Sequence, residues 1–505
     1  MSPSSLQAGE IWVGTSNRLV YLTRDSGGSW NNVSPSGLAE PTQILYVEAS
    51  HNDPGTAYLT VGGTRESTPA YVARTHDYGQ SWQKIVNGFP EDEMVRVVRE
   101  DPKRKGLLYA GTDTGVFISW DDGDHWQPLS LNLPASPVTD LEVHANDLVI
   151  STFGRGLWIL DDVSPLREFK PEIAAADMYL FPPATSMRVR WQTYQDTPYP
   201  IETPAGQNPP DGSIIDYFLK TATPAELTLT IYDEKDSEIV TFSSQEKPAE
   251  YLPANVPDYW FAPAASLSKA PGVNRFVWDL RYPPPATLPY SYYGNLLEYT
   301  EYTFADHTVP SQTPRPQPRG PIVVPGKYTA VMRYSGRELR QSFTVELDPR
   351  VHASASDLRE QRDLALVISR GMKSSYDFYL QVVGLRKVLA ERQKSFPGGN
   401  AKMKDAAERL DKKIAALEKG PKSAQGFGTV NRDLARLIYS VETADVRPGE
   451  TIRSAAQESC AALKKALTTW QQLNAEDIPS FNSMLAAVNA PALPMTETRM
   501  TGCGE

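Results

Sequence analysis

Two cysteines, Cys460 and Cys503, are all that 505 residues contain. Two thiols are too few for a disulfide framework or a structural zinc site. Cys460 falls on an apolar helical stripe, where a thiol packs as a small hydrophobe, and Cys503 reaches it only if the C-terminal tail folds back. No run of about 18 apolar residues exists, so no membrane-spanning helix is expected. The opening "MSPSSLQAGEIWVGTS" lacks the basic start and apolar stretch of a signal peptide. Basic residues are the minority charge, 50 Lys and Arg against 61 Asp and Glu for a net −11. That balance argues against a general nucleic-acid binder. No metal-ligand spacing, phosphate-cradling glycine loop or Ser–His–Asp constellation stands out, so neither metal nor cofactor is expected.

What is present is enough apolar residue for real cores, 40% of the chain, and a length that suggests about three domains. The 42 prolines favour loop-rich β structure in at least part of it.

Three octets share one pattern: Ser or Thr, any residue, Asp, any residue, Gly, two of any kind, Trp. They are Thr23–Trp30, Thr75–Trp82 and Ser119–Trp126. Their aspartates, Asp25, Asp77 and Asp121, stand 52 and 44 residues apart. A degenerate copy, "GLWILDD", places Asp161 a further 40 along. Periods of about 40–50 residues built from several short strands indicate β-propeller blades. Strand-like runs precede each octet, so each octet reads as the hairpin between a blade's third and fourth strands. Asp25, Asp77 and Asp121 accept backbone N–H groups of the turn. Gly27, Gly79 and Gly123 supply positive φ. Trp30, Trp82 and Trp126 fold back as apolar plugs between blades. These nine residues are expected to be architectural.

The octets resemble the Asp-box, or BNR, repeat of sialidase-type and sortilin-type β-propellers. The stretch from "LLYAGTDTGVFISWDDGDHW" through "TFGRGLWILDDVSPLREF" resembles the last blades of large bacterial glycosyl hydrolase-like, BNR-repeat proteins. So do "SIIDYFLKTATPAELTLTIYD", "NRFVWDLRYP", "PGKYTAVMRY" and "LNAEDIPSFNSML". The resemblance covers nearly the whole chain but only the C-terminal half of such a protein. It departs at Phe153, where those proteins often carry His before "GRG". It implies export, hence a periplasmic or secreted location.

The reading is a multidomain chain, mainly β plus α. Residues 1–170 form a partial β-propeller of about four blades, the outer two incomplete. The first blade begins at its second strand, and "MYLF" (Met178–Phe181) pairs back as a missing outer strand. Residues 171–210 link or return. Residues 211–350 form an immunoglobulin- or fibronectin-like β-sandwich interrupted by a Pro- and Tyr-rich insertion over 282–326. Residues 351–490 form an antiparallel four-helix bundle, its first stripe Leu364, Ile368, Met372, Tyr376, Tyr379 and Val383. Residues 491–505 are a tail. Segment 351–420 carries a net +5.

Four blades do not close a ring, so a partner is expected: missing N-terminal blades, a second chain, or a second copy forming a homodimer. Ligands should meet the loops on the rim opposite the octets. Those loops offer Arg18, Arg65 and Arg155 for binding, suited to bidentate carboxylate pairing. They offer Asp113, Asp140 and Glu66 as candidate catalytic carboxylates. The bland reading has Asp113 and Asp140 capping turns or pairing with Arg155. His76 and His125 lie inside octets, on the wrong face. Two functions follow: a binding or scaffold protein recognising a glycan or protein partner, or a glycoside hydrolase of the sialidase or xyloglucanase type.

Overall fold

The computed structural model describes residues 1–38, 42–62, 70–190, 200, 202–204, 206, 208–222, 224–247, 253–262, 265–289, 313–314, 318–394, 396, 401–419, 426–495 and 503. The chain divides into two compact units, Met1–Ala175 and Ala176–Glu505.

The first unit is four successive antiparallel sheets, each in simple up-and-down order. The first holds β1 (Ser2–Pro3), β2 (Ile11–Gly14), β3 (Val20–Thr23) and β4 (Asn31–Asn32). The second holds β5 (Gln43–Ala49), β6 (Ala57–Gly62), β7 (Tyr71–Thr75) and β8 (Gln83–Lys84). The third holds β9 (Val95–Glu100), β10 (Leu108–Thr112), β11 (Val116–Ser119) and β12 (Gln127–Pro128). The fourth has three strands, β13 (Val138–His144), β14 (Asp147–Thr152) and β15 (Leu157–Leu160). Neighbouring sheets meet along their early strands, β2 on β5, β5 on β9 and β9 on β13.

Strands β6, β10 and β11 are buried on both faces and read as unbroken apolar runs, "AYLTVG", "LYAGT" and "VFIS". Strand β15 alternates exposed and half-buried, because only one of its faces meets a neighbouring sheet. The first sheet is not short of its first strand. Ser2 and Pro3 pair with Trp12 and Ile11, a segment too short and too polar to show a strand pattern. After β15 the chain turns into α1 (Ser164–Glu168) and α2 (Pro171–Ala175). Arg104 anchors that turn by donating to the carbonyls of Leu166, Arg167 and Phe169.

The second unit opens with two facing sheets. One is β16 (Met178–Leu180), β18 (Ser213–Leu219) and β22 (Gly272–Trp278). The other is β17 (Ser186–Arg188), β25 (Arg337–Leu347), β24 (Gly326–Tyr334), β19 (Leu227–Asp233) and β20 (Glu238–Ser243). A short parallel pair joins β21 (Phe261–Ala262) to β23 (Thr313–Pro314). Met178 and Leu180 pair with Leu219 and Tyr217. The "MYLF" segment is therefore a strand of this unit, not an outer strand of the first one. Its apolar alternation fits either place, and only the tertiary pairing decides. Residues 171–210 are likewise more than a linker, since β17 pairs in parallel with β25. Ile215, Tyr217, Trp278, Leu229, Met332 and Phe343 share the core between the sheets. Most of the 282–326 insertion lies outside the described residues.

The remainder is helical: α3 (Ala355–Lys394), α4 (Ala401–Glu418), α5 (Phe427–Glu442), α6 (Glu450–Gln472) and α7 (Ile478–Ala486). A π-helical turn over Leu473–Asp477 joins the last two. Five helices, not four, supply the core, because Ile478, Phe481 and Leu485 enter it after that turn. On α3 the buried apolar side chains are Leu358, Ala365, Ile368, Met372, Phe378, Val382, Leu385 and Leu389. Val383 is exposed instead. The stripe begun at Leu364 steps by four residues in all but one interval, more than the 3.6 of a helical turn, so it rotates off the core-facing side by its sixth member. Cys460 is no free hydrophobe: it is disulfide-bonded to Cys503, 43 residues on. The tail folds back, and Cys503 packs against Gly371, where a Cβ would lie 2.4 Å from its sulfur.

Where the facing sheets meet the helices, Asp445 receives both Arg188 and Arg190, the latter at 2.5 Å. Glu442 receives Arg190 at 3.3 Å and Arg281 at 3.0 Å.

Candidate functional site

The three octets are one object repeated. In each, the leading hydroxyl donates to the aspartate, Thr23 to Asp25 at 2.8 Å, Thr75 to Asp77 at 2.7 Å and Ser119 to Asp121 at 2.8 Å. The glycine N–H returns to the same hydroxyl, at 2.8 Å from Gly27, 3.0 Å from Gly79 and 2.8 Å from Gly123. The residue before tryptophan donates its N–H to the aspartate, from Ser29, Ser81 and His125. Two consecutive positive φ angles close the turn, for example Tyr78 at 59° and Gly79 at 81°, which favours glycine at the second.

The hydroxyl and N–H of Ser29 hold the Asp25 carboxyl at about 2, and those of Ser81 do the same for Asp77. Burial works against ionisation of Asp121, but His125 and Ser119 outweigh it and the carboxyl stays below the usual range.

The tryptophans reach into the preceding sheet. Trp82 donates to the Val33 carbonyl at 2.7 Å, and Trp126 to that of Ile85 at 3.2 Å. Trp30 is 44% exposed, against 4% for Trp126. The octet glycines press on the same neighbours: a Cβ on Gly79 would meet Val33 at 2.6 Å, and on Gly123 Ile85 at 2.3 Å.

The octets also contact the turn between first and second strands of their own sheet, Ser26 N to Gly9, Tyr78 N to Gly55 and Asp122 N to Gly106. Those turns and the octets thus share one rim. His76 bonds Asp122 and Thr56 there, and His125 bonds Asp121.

On the opposite rim, Asp113 is half-buried and meets Arg96 at 2.5 Å. Its loop is fixed further by Glu93, which accepts from the Thr114 N–H at 3.1 Å and hydroxyl at 2.9 Å. Asp140 is not in a loop. It lies within β13, beside an irregularity in its pairing with β14, and meets Arg99 at 3.0 Å. The arginines that hold these two aspartates, Arg96 and Arg99, both project from β9. Arg18 is half-buried with a φ of 71°. Arg155 is exposed, and its carbonyl accepts from the Trp158 indole. Arg65 and Glu66 lie outside the described residues.

A charged cluster that motif spacing does not reveal runs across the sheets. Arg99 bridges Glu48 on β5 at 2.9 Å, Asp140 at 3.0 Å and Glu142 on β13 at 3.7 Å, and stacks on Tyr46. The His51 imidazole meets Glu48 at 3.3 Å and Ser5 at 3.2 Å, while the His51 backbone N–H donates to Glu100. Burial pushes the Glu48 carboxyl up. The bond to Glu48 raises the His51 imidazole, against its own burial. The signal was a charged residue within each apolar inner strand, "ILYVEA", "VRVVRE" and "VTDLEVH". Those positions look like solvent-facing alternation until neighbouring sheets place them together. The cluster stitches three sheets, and its one arginine is shared among carboxylates rather than free for a ligand.

Among the described residues no group of three His, Cys, Asp or Glu has metal-holding geometry. No helix there is long and apolar enough to cross a membrane.

No family model matches the chain. Over 110 residues it is 26% identical to the oligoxyloglucan-reducing end-specific xyloglucanase of Emericella nidulans, a match covering 21% of this chain and 13% of that protein. The chain therefore spans only a small part of that relative. Among solved structures it is similar to YCF48 bound to D1 peptide, at TM-score 0.24 and 18% identity over 32% of this chain and 48% of that one. It is also similar to an ancestral GH74 enzyme, at TM-score 0.23 and 13% identity over 69% and 56% of the two chains. A third is the extracellular domain of a one-component system from B. thetaiotaomicron, at TM-score 0.25 and 11% identity over 69% and 36%.

Proposed function

We propose that the chain is a binding or scaffold protein whose first unit is a partial Asp-box propeller recognising a glycan or protein partner through loops opposite the octets. One observation supports this above others: the two described candidate carboxylates, Asp113 and Asp140, are each held by an arginine. A retaining or inverting hydrolase needs one carboxyl as proton donor and one as nucleophile or base. Here each would first have to leave a salt bridge. Arg18 and Arg155 remain as ligand-facing groups of this reading. The exposed Trp30 fits a further blade packing on that side, from N-terminal blades, a second chain or a second copy. The Cys460–Cys503 disulfide fits an oxidising, periplasmic or secreted setting.

The competing reading, a glycoside hydrolase, is favoured by the xyloglucanase likeness. Incubation with xyloglucan oligosaccharides and chromogenic glycosides separates the two. The expected result is no turnover, with saturable binding weakened by Arg155→Ala. Turnover abolished by the double variant Asp113→Asn/Asp140→Asn would overturn the binding reading.

A further inference from the structure

In the first three sheets the outer edge of the third strand is covered by a two-residue strand that follows an octet tryptophan. The covering segments are Trp-Asn-Asn on β3, Trp-Gln-Lys on β7 and Trp-Gln-Pro on β11. The fourth sheet ends at β15, which among the described residues pairs only with β14. The residues after it form α1 and α2 instead.

The register tells which groups of β15 face outward. Thr152 N donates to the Gly156 carbonyl at 3.1 Å. Bonded positions recur at every second residue of an antiparallel pair. Trp158, opposite Ile150, and Leu160, opposite Leu148, therefore exchange hydrogen bonds with β14. Leu157 and Ile159 turn their N–H and C=O groups away from it. Their side chains are also exposed, 75% for Leu157 and 56% for Ile159. A bare edge with two large apolar side chains is a template for strand pairing.

We propose that the β15 edge binds an extended peptide strand in trans, with an aromatic residue followed by a carboxamide, the chemistry this chain itself uses three times at the same place. The edge is separate from the loop rim of the preceding section, and either reading can fail without the other.

The test uses a fluorescein-labelled peptide with the sequence of residues 79–86, Gly-Gln-Ser-Trp-Gln-Lys-Ile-Val, titrated with the full chain and followed by anisotropy. Saturable binding is expected, lost when alternate peptide nitrogens are methylated. Ile159→Pro removes an outward N–H without breaking a bond to β14, as proline on an edge strand does. It should weaken binding about tenfold. Leu157→Lys, which keeps every backbone group, serves as a second variant and should weaken it as well. Absence of saturable binding, or binding indifferent to both variants and to methylation, would overturn the proposal. So would slow amide exchange at Leu157 and Ile159 in the free protein, which means the edge is already covered. Light scattering then tells a second copy from the chain's own residues.

Discussion

The indole of Trp126 donates to the Ile85 carbonyl 3.2 Å away, in the sheet before its own, while Gly123 of the same octet lies too close to Ile85 to carry a Cβ. The hairpin is thus a plug and a seat at once. Trp126→Ala should cost about 3–5 kcal/mol, the usual range for a large aromatic lost from a core. Trp30→Ala, with the same motif but an indole left 44% exposed, should cost under about 1 kcal/mol. Urea denaturation of the two variants checks the contrast. Equal losses would mean the octet stabilises its own hairpin rather than the seam.

Acid should test the octet carboxylates. The Asp77 carboxyl is held at about 2 in the folded chain, against 3.8 for an unperturbed aspartate. Between those values the unfolded chain binds more protons than the folded one. The stability that Asp77 contributes is therefore complete above about pH 4 and is lost as pH falls through about 2. Asp77→Ala should flatten the acid limb of a stability-versus-pH curve in that window.

His51 works in the other direction. Its imidazole is raised above 6.5 by Glu48. The folded chain holds that proton more tightly, so the contribution is complete below pH 6.5 and lost as pH rises through the folded value. His51→Gln should remove a decline in thermal midpoint on the alkaline side of 6.5 and leave the acid limb unchanged.

In the charge network of the second unit, Asp445→Ala takes from the fully buried Arg188 the carboxylate that it pairs with, while Arg190 keeps Glu442. A cost of about 3–5 kcal/mol is expected. Replacing Asp445 and Arg188 together by apolar residues should recover part of it. Denaturation midpoints of the single and double variants give the answer.

Reduction should release the tail. The Cys460–Cys503 bond closes a loop of 43 residues, and loop-closure entropy puts its worth at about 4 kcal/mol. A dithiothreitol-dependent fall in melting temperature, absent from Cys503→Ser, is the expected outcome.

Much of the local structure was legible in the residues. The octet wrote its own hairpin, because a hydroxyl, a carboxylate and a glycine at fixed offsets satisfy one another within eight residues. The strand-like runs before each octet and the helical character of 351–490 declared themselves because periodicity is a property of a single element. Three things were not legible. "MYLF" could extend either unit. Asp140 could sit in a loop or a strand. Glu48, Arg99 and Glu142 stand in three separate sheets and meet only when those sheets pack.

The amino-acid order therefore settled which segments become hairpins, strands and helices, since those choices rest on bonds between residues a few positions apart. Tertiary packing alone decided which carboxylate answers which arginine, which tryptophan finds a seat, and which strand edge is left bare. Those outcomes depend on surfaces brought together from residues about 40 or more positions apart, whose meeting no local pattern encodes.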